Sequence, residues 1–349
     1  MKKRILICFS STPFVRGGAE LHVQSLEREL KSRGFEVDIV NIPFQQEPKD
    51  EILKNVIAWR LLKLDKWGSK PVDLVISTKF PSYTVKHPNK VTWLIHQHRP
   101  IYDLYGTIYS DFDPNNPKDR SLRNKIARID NKTLNESRMI YTNSKNTGKR
   151  LKQFNNIDST PLYHPPKHYG KYHCDGYGDY ILSVGRLESI KRVDILINAM
   201  RHMDRGIKCI IVGTGVMDSL IIKMVRDYGL QDRVEIRGFV DDEELLQLYA
   251  NCFSVYYAPY DEDYGYVTIE SFLSKKPIIT CRDSGGILEF AENDINSKIA
   301  ERPDALEIAR CADQLYNNTT MCKKFGEQGH SLVKDITWDN VIEKLTATL

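Results

Sequence analysis

The sequence predicts an α/β chain built as two doubly wound, Rossmann-like domains. Three observations predict it. Short apolar runs bounded by turn residues alternate with stretches of helical period, as in a parallel sheet with helices on both faces. The alternation is played through twice, on either side of a stretch marked by Pro161, Pro165 and Pro166. A chain of 349 residues also favours two cores over one.

In the first half, RILICF (4–9), EVDIVNI (36–42), VDLVIST (72–78), VTWLIH (91–96) and RMIYTN (138–143) read as buried strands. Between the first two, ELHVQSLERELKSRG (20–34) repeats its apolar positions at Leu21, Leu26 and Leu30, a helical spacing, and Gly34 supplies the stop. KDRSLRNKIARIDNK (118–132) is the densest basic run, with Leu122, Ile126 and Ile129 on a separate stripe. The boundary predicted from the prolines gives residues 1–165 to the first domain and 166–335 to the second, which opens on the turn-rich KHYGKYHCDGYGD (167–179). There the strands are YILSVG (180–185), KCIIVG (208–213), VEIRGFV (234–240), FSVYYAP (253–259) and PIITC (277–281). Helices are expected from about Lys191, over 266–275, and from about Trp338.

Composition removes several classes. The seven cysteines show neither C-x-x-C spacing nor regular pairing, which points to a reducing compartment and no structural zinc. The apolar run in MKKRILICFSS is too short for a signal peptide and is read as the first strand. No apolar stretch approaches the ~20 residues of a membrane-spanning helix, so a cytoplasmic protein is expected. Charge is unevenly divided: residues 1–165 carry a net +11 and the remainder −7. A basic first half suits an anionic membrane face or an anionic acceptor, and equally an ordinary solvated surface. Nucleic-acid binding is not expected, since no recognition motif accompanies the charge.

Two segments carry chemistry. In EDYGYVTIE, Glu262 and Glu270 flank a Gly-containing turn and the start of a helix. Backbone N–H groups at such a start bind phosphate, and carboxylates accept hydrogen bonds from sugar hydroxyls. By spacing alone this is also a surface helix with acids near its positive end. In YILSVGRLESIKR, Arg186 and Lys191 stand between the carboxyl end of a strand and the following helix. Two cations there suit a diphosphate, Arg by two-pronged hydrogen bonding and Lys as a compact charge; a solvated basic loop is the other reading. Asp111-Phe112-Asp113 and Asp261-Glu262-Asp263 imitate a metal-binding D-x-D, but the first lies in a Pro/Asn-rich loop and the second within the paired-Glu segment. No G-x-G-x-x-G follows the first strand, which argues against a nicotinamide dehydrogenase.

Taken together and in order, GGAE (17–20), IHQHR (95–99), TNS (142–144), YHPP (163–166), VGRLESIKR (184–192), IVGTG (211–215), RGFVDDEELLQLYANC (237–252), the E-x7-E at 262–270, SGG with a later Glu289, and TWDN (337–340) resemble glycosyltransferase family 4, the retaining enzymes of group 1 type. The resemblance runs almost end to end. It implies the GT-B fold, two Rossmann-like domains facing across a cleft. The first domain would hold the acceptor and the second the nucleotide sugar, with a final helix at about 336–349 crossing back to the first.

The resemblance also implies roles. Arg186 and Lys191 match the cations that neutralise the leaving diphosphate, with the backbone of Gly185, Tyr266 and Val267 beside them. Glu270 matches the acid on the ribose hydroxyls, and Glu262 the acid near the donor sugar. Gly17 and Gly18 match glycines that admit the donor closely. The backbone of Gly238, Phe239 and Val240 lies where the base would sit; a buried hydrophobic turn is the other reading. His96 matches a histidine at the strand end facing sugar and acceptor, with His98 and Arg99 beside it. Asp130 reads as packing or a salt bridge, and Ser144 as a helix N-cap or a cleft residue. No cofactor and no metal are expected, since cations already stand at the diphosphate position. The expected donor is a UDP-sugar rather than a GDP-sugar, from the family's usage. The expected acceptor is a glycan or lipid-linked glycan of cell-envelope polysaccharide synthesis, met by a peripheral protein at the inner membrane face. A nucleotide-sugar 2-epimerase of the same fold and a non-catalytic transferase-like module are the alternatives.

Overall fold

A computed structural model describes residues 2–14 and 17–349 of the chain. They divide into two compact units, Met1–Lys167 with Thr337–Leu349, and His168–Ile336.

The first unit runs β1 (Arg4–Phe9), α1 (Gly18–Ser32), β2 (Glu36–Asn41), α2 (Glu51–Leu61), β3 (Lys66–Trp67), β4 (Lys70–Pro71), β5 (Leu74–Ser77), β6 (Lys90–Leu94), α3 (Pro117–Leu134), β7 (Met139–Thr142), α4 (Lys145–Asn155) and β8 (Thr160–Pro161). Its sheet has the order β2-β1-β5-β6-β7-β8, every pairing parallel, while β3 and β4 form a separate antiparallel ribbon. Ile5, Ile7 and Phe9 of β1 pack with Val23, Leu26 and Leu30 of α1; Leu26 and Leu30 lie on the stripe that the helical spacing predicts, whereas Leu21 is exposed and Val23 takes the core position in its stead. The strands expected at 72–78, 91–96 and 138–143 are shorter than their apolar runs, because the runs continue past the ladder into the connecting loops.

One feature of β6 is invisible in the pattern. Its first residue is Lys90, fully buried, whose ammonium donates to the carbonyls of Tyr83 (2.8 Å) and Thr133 (2.7 Å). Thr133 lies in the last turn of α3, where carbonyls lack intrahelical donors. The charge is thus held by backbone dipoles, and burial brings its pKa down to about 8.

The second unit runs β9 (Tyr180–Val184), α5 (Val193–Ala199), β10 (Lys208–Val212), α6 (Asp218–Asp227), β11 (Val234–Gly238), α7 (Asp242–Asn251), β12 (Ser254–Tyr256), α8 (Tyr266–Leu273), β13 (Ile278–Cys281), β14 (Ser297–Ala300), α9 (Ala305–Tyr316) and α10 (Thr319–Val333). Its sheet order is β11-β10-β9-β12-β13-β14, again parallel throughout. Neighbouring strands β9 and β12 are far apart in sequence, so the winding reverses between them. Ligands of open α/β sheets bind at such a reversal, beyond the carboxyl ends of the strands.

The last helix, α11 (Trp338–Thr346), belongs to the first unit. Trp338, Val341, Ile342 and Leu345 join the core of β1 and α1. Each of these buried apolar side chains contributes roughly 1.5–3 kcal/mol, which ties the terminal segment to the first unit.

Candidate functional site

The reversal between β9 and β12 brings two sequence-predicted residues into contact. Lys191 follows β9 and Glu262 follows β12. The Lys191 ammonium bonds the Glu262 carboxylate and also reaches the Tyr257 hydroxyl (3.2 Å), which itself donates to Glu262 Oε2 (2.9 Å). The Lys191 and Glu262 side chains are each only 16% exposed, so this is a desolvated ion pair rather than a surface one. Tyr257 went unnoticed in the sequence, where it looks like one more apolar residue of the strand run. Its adjacency to Glu262 becomes meaningful only once β12 stands beside β9.

The local backbone explains how Lys191 is presented. The helix expected from Lys191 begins instead at Val193. Lys191 closes a short 3-10 turn, Ser189–Lys191, and Arg192 then takes a left-handed conformation (φ 56°) that breaks the two apart. That strained residue is pinned from both ends. Its guanidinium makes two bonds to Asp283 (2.8 and 2.7 Å), and its carbonyl accepts from the Tyr256 hydroxyl (2.9 Å). Arg186 lies on the other side of buried Leu187, about half exposed, and donates to Glu188 Oε1 (2.6 Å).

Strand-end glycines shape the loop that carries Arg186. Gly185 donates to Val212 O (3.0 Å), and Gly213 to Gly238 O (2.7 Å). All three glycines have positive φ: 148°, 128° and 63°. Just beyond them, Phe239 is almost fully exposed and Val240 is buried, so the reading as a buried hydrophobic turn fits Val240 and not Phe239. The SGG motif has a separate task. Glu262 N–H donates to Ser284 O (3.2 Å) and Gly286 N–H to Glu262 O (2.8 Å), lacing the Glu262 loop to the motif. A Cβ on Gly286 would fall 2.2 Å from Asp263 O, so only glycine fits there.

Helix α8 starts after Gly265 (φ 77°), placing Tyr266 and Val267 in its first turn, where backbone N–H groups point out along the axis. Glu270 lies one turn further in. The hydroxyl of buried Tyr249 donates to its Oε2 (2.7 Å). Burial pushes the Glu270 carboxyl above its ordinary range, and the hydroxyls of Tyr249 and Tyr172 pull it back. Tyr249, on α7, is the second residue that the sequence reading missed.

In the first unit, Gly17 and Gly18 open α1. Gly17 is extended (φ −153°) and its N–H donates to Glu20 (2.9 Å), a capping arrangement that requires no special conformation of glycine. Val15 and Arg16 lie outside the described residues. His96 follows β6, half-buried, its Nδ1 2.7 Å from Gln97 O. His98 is buried edge-on against Phe44 and Phe112 and tilted over Phe80, and burial brings its pKa down to about 3, the behaviour of a core histidine. Ser144 accepts from Thr147 N–H (3.0 Å) and caps α4.

Asp130 is fully buried in α3 and accepts from the Tyr102 hydroxyl (2.7 Å), with Tyr83 on its other side. Burial raises its carboxyl to about 7, against the pull of those two hydroxyls. The folded pKa therefore lies above the unfolded one, near 3.9. Its stability contribution is complete below about pH 4 and is lost as pH rises through about 7. Asp130→Asn is accordingly expected to be more stable than the parent at pH 8, by on the order of 4 kcal/mol, with the gap closing towards about pH 4. Thermal melts across that range check it; a pH-independent gap would mean that the carboxyl is ionised throughout.

Comparison with known proteins adds the chemistry. Residues 171–332 match the family described as glycosyl transferases group 1. An uncharacterised glycosyltransferase of Methanocaldococcus jannaschii is 25% identical over 95% of this chain and 93% of its own length. The poly(ribitol-phosphate) alpha-N-acetylglucosaminyltransferase of Staphylococcus aureus is 24% identical over 52% of this chain and 36% of its own. Among solved structures, sucrose-phosphate synthase from Thermosynechococcus elongatus superposes with a TM-score of 0.80 at 15% identity, covering 99% of this chain and 98% of that one. Anabaena HepE in complex with UDP and glucose superposes at 0.72 and 16% identity, covering 99% and 100%. These likenesses establish the fold as GT-B. The segment that matches the group 1 glycosyl transferases carries Arg186, Lys191, Glu262 and Glu270.

Proposed function

We propose that this chain is a retaining, metal-independent glycosyltransferase. It moves a hexose-type sugar from a UDP-sugar to a hydroxyl of a glycan or lipid-linked glycan, in cell-envelope polysaccharide synthesis at the inner face of a membrane. The observation that carries the reading is the Lys191–Tyr257–Glu262 cluster at the β9/β12 reversal, with Arg186 on the same strand-end loop. An ammonium and a carboxylate side by side can engage a diphosphate and a sugar hydroxyl side by side. On donor binding, Lys191 exchanges Glu262 for the diphosphate, and the freed carboxylate accepts from the sugar. Arg186 and the first-turn N–H groups of Tyr266 and Val267 share the leaving charge, which grows as the glycosidic bond breaks. Glu270, held by Tyr249, takes the ribose hydroxyls. Phe239 offers an exposed ring to the base, beside the backbone of Gly238 and Val240. In the first unit, His96 acts on the sugar and the acceptor, and Gly17 and Gly18 on the approach of the donor. UDP over GDP draws support from the UDP complexes among the structural relatives.

No enzyme carboxylate is assigned as a nucleophile. The acceptor hydroxyl attacks from the leaving group's side, and an oxygen of the departing diphosphate takes its proton, which keeps the anomeric configuration. With cations at the diphosphate, activity is expected to survive exhaustive chelation. Loss with EDTA, restored by Mn²⁺ or Mg²⁺, would overturn the metal-independent reading. The deciding experiment follows labelled UDP-sugars with glycan acceptors. A new glycoside with retained configuration supports the proposal. An altered donor sugar indicates an epimerase, and no change with any donor indicates a non-catalytic module.

A further inference from the structure

We propose that the β3–β4 ribbon docks the first unit on an anionic lipid bilayer, with Trp67 as the inserting side chain. This rests on the reading above only in placing the enzyme at a membrane. The ribbon belongs to neither sheet and projects from the amino edge of the first one, just before β5. It is held firmly. Arg4 donates to the carbonyls of Lys70 (3.1 Å) and Pro71 (3.4 Å), and Val72 N–H donates to Asp65 O (3.0 Å). Gly68, at positive φ (61°), turns the tip, where an added Cβ would meet nothing. Trp67 stands beside the tip, 65% exposed. The protein has four tryptophans, and Trp59, Trp93 and Trp338 are all buried. Leu61 and Ile57, one helical turn apart at the end of α2 that leads into the ribbon, are also exposed.

The surroundings select the occupant. Lys63, Lys66 and Lys70 are exposed around Trp67, and Lys63 bridges to exposed Lys86; Asp65 is the one carboxylate within residues 60–70. Three apolar side chains make too small a patch for a stable protein interface, which needs about 800 Å² on each partner. A tryptophan among lysines suits the lipid headgroup region, where the ring enters the interface and the ammonium groups meet anionic lipid. The geometry has a consequence for the acceptor. His96 follows the carboxyl end of β6, so it sits on the opposite edge of the same sheet. A five-residue strand separates the two edges by roughly 16 Å. An acceptor reaching His96 from a bilayer under the ribbon must extend that far, which favours a chain of sugars over a single sugar at a lipid headgroup.

The test uses intrinsic fluorescence, because Trp67 is the exposed tryptophan. With vesicles of mixed phosphatidylcholine and phosphatidylglycerol at low salt, emission should shift to shorter wavelength. Vesicles of phosphatidylcholine alone should leave it unchanged, and high salt should reverse the shift. In vesicle sedimentation, Trp67→Ser should bind at least about tenfold more weakly than the parent, and Lys66→Glu/Lys70→Glu at least about twentyfold. Both variants should keep parental transfer to a water-soluble acceptor, so failure of docking is distinguishable from failure of the transferase reading. No spectral shift with anionic vesicles, or equal sedimentation of Trp67→Ser and parent, overturns the inference. So does loss of binding in Lys125→Glu/Arg128→Glu alone, which would place the contact on α3. A parental dimer that Trp67→Ser dissociates would show that a second copy covers the ring, and would overturn it too.

Discussion

Arg186→Ala is expected to lower turnover with the true donor about a hundred- to thousandfold, the loss of roughly 2.7–4 kcal/mol that follows removal of one group stabilising developing charge. Arg186 is half-exposed and its partner Glu188 is a surface carboxylate, so the fold should keep its parental melting temperature. The effect should therefore appear in kcat more than in stability. Lys191→Ala should cost as much in turnover, but its structural consequence differs. The lysine is desolvated against Glu262, and removing it leaves a carboxylate in a poor environment. Its melt is therefore to be compared with that of Glu262→Gln/Lys191→Ala, in which no charge is orphaned. If either single variant keeps a near-parental kcat/KM, that cation does not hold the leaving group.

Gly213→Ala should be the most damaging of the small substitutions. Its Cβ would sit 1.9 Å from the carbonyl oxygen of Gly185, on a backbone with φ 128°. Strain of this kind costs about 1–3 kcal/mol and overpacking about as much again. Relief requires moving the Gly185–Leu187 loop, so the donor KM should rise along with the loss of stability. Gly229→Ala is the matched control: φ is also positive (65°), but nothing lies within 4 Å of the added methyl. Thermal melts of the pair separate conformational strain from collision. Equal losses would mean that the strand-end glycines are needed for conformation alone, and not for the close approach of β9 and β10.

Two kinds of feature were legible before any coordinates. Strand and helix periods, the glycine stops and the turn residues depend on consecutive positions, and they placed five strands of each sheet, though not β8 or β14, and the starts of α8 and α11 within a few residues. Arg186, Lys191, Glu262 and Glu270 stand out as candidates for the same reason, since each sits in a short segment with its own pattern. The misses share a cause. The helix after β9 begins two residues late because Asp283 and the Tyr256 hydroxyl, both remote in sequence, pin Arg192 in a left-handed turn. Tyr257 and Tyr249 passed as core aromatics, and Lys90 as an ordinary strand-end charge, because what distinguishes them is a partner elsewhere in the chain. His98 and Asp130 show the converse. Their residue types suggest chemistry, and complete burial among aromatic rings turns them into packing elements.

By itself, then, the sequence determined two α/β units and the identity of the charged groups at the strand ends, since local periodicity and turn chemistry act over a few residues. Tertiary structure decided which of those groups meet. Lys191 and Glu262 are 71 positions apart, and nothing local to either specifies the other. They touch because the sheet winds outward from β9 in both directions and so sets β12 beside it. Strand order arises from burying every helix against a sheet face, a condition on the whole domain and not on any segment of it.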